Sequence, residues 1–168
     1  MRFIEVSAIL SALLLPFSAN ATCNNGNGSG YVLQGDLALS REQGLIWKRC
    51  AIGMRWSDAE KTCVGEPQGF SLEEAVDYAR NEGNGWRVPT GQELETLLID
   101  TCDGPNIDMV AFPNLAASDF GEGAKFWTST EAIPGMRYFF DFTHGYVDMH
   151  SSGFRLSVLL VKGSLRSK

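Results

Sequence analysis

The stretch Gly85-Trp86-Arg87-Val88-Pro89-Thr90-Gly91-Gln92-Glu93-Leu94-Glu95-Thr96-Leu97 reads as a buried aromatic, a short extended piece, a proline stop and a helix start. Pro89 pushes Val88 into an extended conformation, so no helix begins before it. Thr90 with Glu93 three residues on is a capping box: the hydroxyl takes an orphan amide and the carboxylate reaches back to the cap. The stretch predicts a hinge between two helices, with Trp86 in the core and Arg87 hydrogen-bonded to carbonyls or to a carboxylate such as Asp141.

Upstream, Ser71-Leu72-Glu73-Glu74 is a second capping box, and Leu72, Ala75, Val76 and Ala79 follow at helical spacing. Helix one is expected over residues 72–82, stopping at Gly83-Asn84-Gly85. Helix two is expected from Thr90 to about Thr101-Cys102, with Leu94, Leu97 and Leu98 on its inner face. Before the helices lie strand candidates at Tyr31-Val32-Leu33, Asp36 to Leu39 and Leu45 to Cys50. Ala51 to Gln68 has no clear period and reads as a disulfide-closed loop around Trp56. After the helices, Asp103 to Gly123 is a long loop anchored by Val110-Ala111-Phe112. Strands follow at Phe126 to Thr130, Met136 to Phe142, Tyr146 to Met149 and Phe154 to Lys162. Helices between groups of strands make an α+β fold: two helices flanking a small, mostly antiparallel sheet.

The chain has 168 residues, room for one ordinary domain. Residues 1–21 read as a secretory signal. Arg2 provides the positive start, Ile4 to Phe17 is mostly apolar, and Ala19-Asn20-Ala21 is a small-x-small cleavage pattern. The apolar run is short for a membrane span, so the mature form is expected to have none. Residues 22–34 form an Asn/Gly-rich lead-in, residues 35–163 the domain and 164–168 a solvated tail. Cleavage would remove Arg2 and Glu5, one charge of each sign, leaving the net charge of −6 unchanged. That acidity excludes a general nucleic-acid binder, which needs a cationic footprint.

Cys23, Cys50, Cys63 and Cys102 make an even count in an exported chain, which implies two disulfides with three possible connectivities. Cys50 and Cys63 flank one loop and are paired with each other, which leaves Cys23 with Cys102. Metal binding by these cysteines is disfavoured: there is no C-x-x-C pair and no nearby histidine.

Read together, several segments resemble a known family. They are Gly44-Leu45-Ile46-Trp47-Lys48-Arg49-Cys50, Gly85 to Thr90 with Glu93-Leu94, Ile107-Asp108 with Ala111-Phe112-Pro113-Asn114, Phe126-Trp127-Thr128-Ser129-Thr130, and Phe140-Asp141-Phe142 with Gly145. Their order and spacing are similar to the C-terminal domain of bacterial collagen-like Lcl adhesins, exported domains related to the C-type-lectin-like fold. The resemblance spans Gly35 to Lys162. It implies that both termini lie side by side in one sheet, that long loops cross the opposite face, and that those loops recognise a ligand. The family often carries a cysteine-closed loop after the first tryptophan strand, where Cys50 and Cys63 stand here. One position departs from it: the family's last strand carries an inner arginine where this chain has Leu159. There is no Gly-x-y repeat, so the expected unit is the lectin-like head alone.

The resemblance directs the search for function to the long loop and the turn after Asp141. The binding residues expected there are Asn106, Asp108, Asp119, Glu122, Tyr138, His144 and Tyr146. Asp103 and the acidic members of that set are hard oxygen ligands of the kind calcium takes. Ordinary loop solvation and Asx turns are the competing reading. The spacing matches no fixed calcium loop, and the Glu-Pro-Asn and Trp-Asn-Asp signatures of calcium-dependent sugar binding are missing. No bound cofactor is expected, calcium being the one exception the oxygen set allows. Tyr138, Phe140 and Phe142 alternate on one strand face, either as a stacking platform with Tyr146 near it or, the favoured reading, as core. Trp47, Trp86, Arg87, Thr90, Glu93 and Trp127 are expected to be structural. Ser129, His144 and Asp141 can be assembled on paper into a triad, but no nucleophile-elbow motif marks Ser129.

The expected function is therefore non-catalytic: an exported, periplasmic or extracellular domain that binds a surface glycan or an envelope or surface protein. The alternatives are a periplasmic or pilus/envelope assembly subunit and a relative of formylglycine-generating oxidases. The latter would need two reducible thiols in a cleft.

Overall fold

The computed structural model describes residues 30–99, 101, 105–115 and 124–163. The expected signal peptide, the lead-in up to Ser29, and the expected Cys23–Cys102 pairing fall outside the described residues. The chain opens with β1 (Tyr31–Gln34) and β2 (Leu37–Ser40), an antiparallel hairpin that turns at Gly35 with φ +55°. β3 (Leu45–Lys48) pairs antiparallel with β2.

After β3 the chain forms a small hairpin, β4 (Arg55–Ser57) with β5 (Thr62–Val64), where a loop was expected. Trp56 pairs opposite Cys63 in it, and Cys63 is bonded to Cys50. The segment carries no period because each strand is only three residues long, too short to show alternation. Lys61 occupies the left-handed region at φ +54° in the turn.

α1 (Leu72–Glu82) matches its expected span. Ser71 accepts the Glu74 amide and Glu74 returns to the Ser71 amide at 2.8 Å. Leu72, Ala75 and Ala79 are buried, and the helix ends at Gly83 with φ +68°. α2 (Gly91–Glu95) begins at the expected capping box on Thr90 but is much shorter than expected. The Thr96 hydroxyl donates back to the Glu93 carbonyl at 2.6 Å, and Leu97 and Leu98 make only i−3 bonds. Such back-bonding competes with the helical ladder. Leu98 then bridges to Ile107, so the apolar spacing that suggested a longer helix serves a turn and a β-bridge.

β6 (Lys125–Ile133), β7 (Met136–Asp141) and β8 (Tyr146–Ser151) form a second antiparallel sheet in that order. β6 is irregular between Trp127 and Glu131. There the Ser129 amide donates to the Pro89 carbonyl at 2.7 Å, and the Thr130 hydroxyl accepts the Gly91 amide at 2.9 Å.

The expected last strand over 154–162 is mostly not a strand; only β9 (Val161–Gly163) is regular, paired with β3. The first sheet therefore runs β1-β2-β3-β9, with the first and last described strands together in it. Residues 156–161 are nevertheless continuously buried. Their backbone groups are satisfied by different elements in turn: Leu156 by Phe70, Ser157 by Lys125 and Trp127, Val158 by Ile52, Leu160 by Lys48 and Val161 by Arg87. Backbone polar groups need partners when buried, but not a single partner strand.

Two apolar clusters result. One gathers Trp47, Leu94, Leu97, Phe112, Phe126, Phe140, Phe142 and Leu159; the other gathers Trp86, Val88, Trp127, Phe139, Val158 and Leu160. Adjacent residues feed opposite clusters: Phe126 and Trp127 by strand alternation, and Leu159 and Leu160 likewise divide between the two. The stretch from Trp86 to Gly91 lies between the two sheets. Arg87 exchanges both backbone bonds with Val161 of the first at 3.0 Å, while Pro89 and Gly91 hold β6 of the second.

Candidate functional site

At the end of the β7–β8 hairpin, the chain reverses around a buried carboxylate. Asp141 accepts the amides of Thr143 (2.9 Å) and His144 (3.0 Å) on Oδ1, and Oδ2 lies 3.0 Å from His144 Nδ1. Gly145 takes φ +71°, and a Cβ there would come within 2.6 Å of Asn106 Nδ2, so the Asn106 side chain lies against the turn. The Asn106 amide donates to the Phe142 carbonyl at 2.7 Å. Tyr146 is 40% exposed, with its ring 6.2 Å from that of His144. Partial burial and the neighbouring Asp141 raise its phenol above the usual range. Asn106, His144 and Tyr146 are thus brought together at this turn.

The other expected binding residues are not in this group. Tyr138 stands opposite Met149 in the register, whereas Tyr146 stands opposite Asp141, so the two tyrosines occupy opposite faces of the sheet. Phe140 and Phe142 are buried, which places that alternating aromatic row in the core. Asp108 points inward and is 3% exposed. Its Oδ1 accepts the amides of Val110 (2.9 Å) and Ala111 (3.1 Å), an Asx turn, while Oδ2 is buried without a hydrogen-bond partner among the described residues. Asp103, Asp119 and Glu122 lie outside the described residues. Among the described residues no group of three or more His, Cys, Asp or Glu is placed to hold a metal ion. The Ser129 hydroxyl donates to the Pro89 carbonyl at 3.2 Å, so it is turned to the hinge and not to His144.

Trp47 and Trp127 are fully buried and Trp86 is 8% exposed. Lys48 and Lys162 flank the Trp86 ring, their Nζ atoms 5.1 and 4.4 Å from its centre. Arg87 pairs with Glu93, not with Asp141. The reason is proximity: Pro89 and the helix start bring Glu93 back over Arg87, whereas Asp141 is enclosed by its own turn.

The role expected of Arg87 is carried more fully by Arg49. Arg49 is 6% exposed, and its guanidinium donates to three carbonyls: Ala111 (2.8 Å), Gly35 (2.8 Å) and Val110 (2.7 Å). It lies 3.8 Å from the centre of the Trp56 ring. It thereby ties the first hairpin, the long loop and the disulfide hairpin to one planar group, a task for a fork of five donors. Asn114 adds a second tie, donating to Thr62 Oγ1 and the Cys63 carbonyl, both at 3.0 Å.

Beside this clamp the structure opens a cleft of about 450 Å³. Trp56, Tyr78, Asp36, Lys48, Arg55, Asp58 and Glu82 line it, with Cys50 and Leu160 below. Lys48 Nζ is held by Asp36 Oδ2 at 2.9 Å and stands 3.7 Å from Glu82 Oε1. Trp56 Nε1 donates to Asp58 Oδ1 at 3.0 Å. Tyr78 rests edge-on against Phe70 and is 39% exposed. Aromatic surface with several fixed donors and acceptors suits a small polar ligand. Sequence reading missed the cleft because its lining comes from four separated segments with no shared motif.

Comparison with known families gives a match to the model of the Lcl C-terminal domain over residues 37–162, from β2 to β9. No curated protein matches the chain significantly.

Proposed function

The chain belongs to the Lcl C-terminal domain family, and from that premise we propose that it is a non-catalytic, exported binding domain of C-type-lectin-like fold, recognising a surface glycan or a protein partner in the manner of an adhesin. The observation that carries the glycan form of this reading is the cleft between the disulfide hairpin and α1. Its volume accommodates a sugar unit, Trp56 and Tyr78 offer aromatic surface for ring C–H groups, and Asp36, Asp58, Glu82, Lys48 and Arg55 offer hydrogen bonds to hydroxyls. The Cys50–Cys63 bridge supports residence in an oxidising compartment, periplasmic or extracellular. The same bridge weighs against the oxidase alternative, because both sulfurs are joined and Cys63 is 1% exposed.

Glycan-array binding of the wild-type chain and of Tyr78→Ala tests this function. A sugar signal that falls at least about tenfold in the variant is expected, a loss of about 1.4 kcal/mol. An empty array together with specific capture of an envelope protein would replace it with the assembly-subunit alternative. That alternative draws on one feature, the open outer edge of β8.

A further inference from the structure

β8 is the outer strand of the second sheet, and every residue in it except the half-buried His150 is exposed. In an antiparallel pair, alternate residues turn their backbone groups toward the neighbour and the others turn them away. Ser152 donates to the Gly135 carbonyl at 3.0 Å, one step beyond the Met136–Ser151 pair. Continuing that alternation, Tyr146, Asp148 and His150 bond to β7, while Val147 and Met149 present their amides and carbonyls outward and Ser151 presents its amide, its carbonyl already accepting the Phe154 amide at 2.9 Å. The Met149 amide bears this out independently: it donates to its neighbour's Asp148 Oδ1 at 2.7 Å. Among the described residues no strand pairs with that edge. The exposed apolar side chains continue along it, with Val147 45% and Met149 37% exposed on one face. On the other face His150 stacks on Phe154 at 3.8 Å, and Phe154 is itself 40% exposed. A six-residue edge of this kind is a template for another strand.

We propose that β8 pairs antiparallel with β8 of a second copy of this chain, about a two-fold axis at Met149. The complementarity of a carboxylate and an imidazole selects the occupant and the register. With Met149 opposite Met149 of the second copy, the two Met149 residues exchange both backbone bonds, and Val147 meets Ser151, whose amide faces the Val147 carbonyl. Asp148 then meets His150 of the second copy, twice, in the non-hydrogen-bonded positions where side chains approach most closely. Asp148 releases the Met149 amide to the second copy's carbonyl and gains the imidazole. Centring the pair on Asp148 instead would set two carboxylates against each other. Centring it on Val147 or Ser151 shortens the overlap and leaves no carboxylate–imidazole pair. The contact is isologous and closes on itself, so it yields a dimer and no fibre.

Sedimentation of the purified chain, with its disulfide intact, tests the proposal over about 1 to 500 µM, since self-association follows mass action. The expected result is a mass that rises from one chain toward two. Met149→Pro deletes an amide that β7 does not use, and is expected to remain one chain throughout with its fold unchanged by circular dichroism. His150→Asp opposes two carboxylates and is expected to weaken the dimer at least tenfold; adding Asp148→His to it restores the pair and is expected to recover the dimer. A chain that stays monomeric at every concentration overturns the proposal, as does a dimer indifferent to both Met149→Pro and His150→Asp. The cleft lies in another part of the fold, so sugar binding by a monomer, or a dimer that binds no sugar, separates the two questions.

Discussion

Arg87 holds Glu93 through both terminal nitrogens, with Nη1 2.7 Å from Oε2, while the same carboxylate accepts the Thr90 amide at 2.8 Å. One side chain thus closes a capping box and anchors the strand segment that joins the two sheets. Burial acts to raise the Glu93 pKa, but the Arg87 hydrogen bonds, the Thr90 amide and the Arg87 charge together outweigh it and hold it below the usual carboxylate range. A depressed folded pKa contributes stability that is present above the unfolded value and lost as pH falls through the folded one. Glu93→Gln is expected to cost about 1–2 kcal/mol at neutral pH. That cost should shrink as pH falls below the ordinary value of 4.5 toward the folded carboxyl's own, lower titration. Urea unfolding of both proteins at pH 7 and pH 3 measures it, and a gap that stays constant would refute the assignment.

Arg49 is expected to be the costliest single surface-to-core tie. Arg49→Met leaves the carbonyls of Gly35, Val110 and Ala111 without their shared donor and uncovers Trp56. A loss of about 3–5 kcal/mol is expected, in the range for breaking a buried charged contact. Arg49→Lys should recover little of it, because one ammonium cannot span three carbonyls in a plane. Equilibrium unfolding that places the lysine variant within about 1 kcal/mol of wild type would show that the fork geometry is unimportant.

The Cys50–Cys63 bridge closes a loop of sequence separation 13. Replacing both cysteines by alanine is expected to cost about 3 kcal/mol, the chain-entropy value for a loop of that length. Because Cys50 and Trp56 both line the cleft, ligand binding should weaken along with stability. Unfolding midpoints and binding measured on the same double variant test this; a large stability loss with unchanged binding would detach the bridge from the cleft.

Tyr31 is packed edge-on against Phe112 with ring centres 5.2 Å apart. Burial first, then the charges of Asp108 and Glu42, push its phenol up to about 12. A raised folded pKa gives stability that is full below the unfolded value of 10.0 and lost as pH climbs through the folded one. Stability should therefore fall between pH 10 and about 12, and Tyr31→Phe should remove much of that fall. Phenolate absorbance followed against pH should show one tyrosine titrating last. A wild-type and Tyr31→Phe pair with parallel alkaline losses would count against it.

The helix starts were legible because a capping box is a local object: Ser71 with Glu74 and Thr90 with Glu93 need only four consecutive residues. The end of α2 was not, because Leu94, Leu97 and Leu98 have helical spacing whether they continue a helix or fold into a turn. The Thr96 back-bond and the Leu98–Ile107 bridge decide between the two, and the second partner lies across a loop. Of the expected site, Asn106, His144 and Tyr146 meet, whereas Asp108 turns inward and Tyr138 takes the opposite face.

By itself, then, the sequence determined what depends on neighbours along the chain: the two caps, the proline stop and the local Cys50–Cys63 pairing. Only the tertiary structure decided what depends on who arrives from elsewhere. It supplied the three carbonyls that Arg49 collects from two distant loops. It routed residues 156–161 past successive partners in place of one strand. It left β8 with its outward amides at an edge. The physical reason is that propensity and capping act within a helical turn, whereas the choice of hydrogen-bond partner for a buried group is settled by packing between segments far apart in the chain.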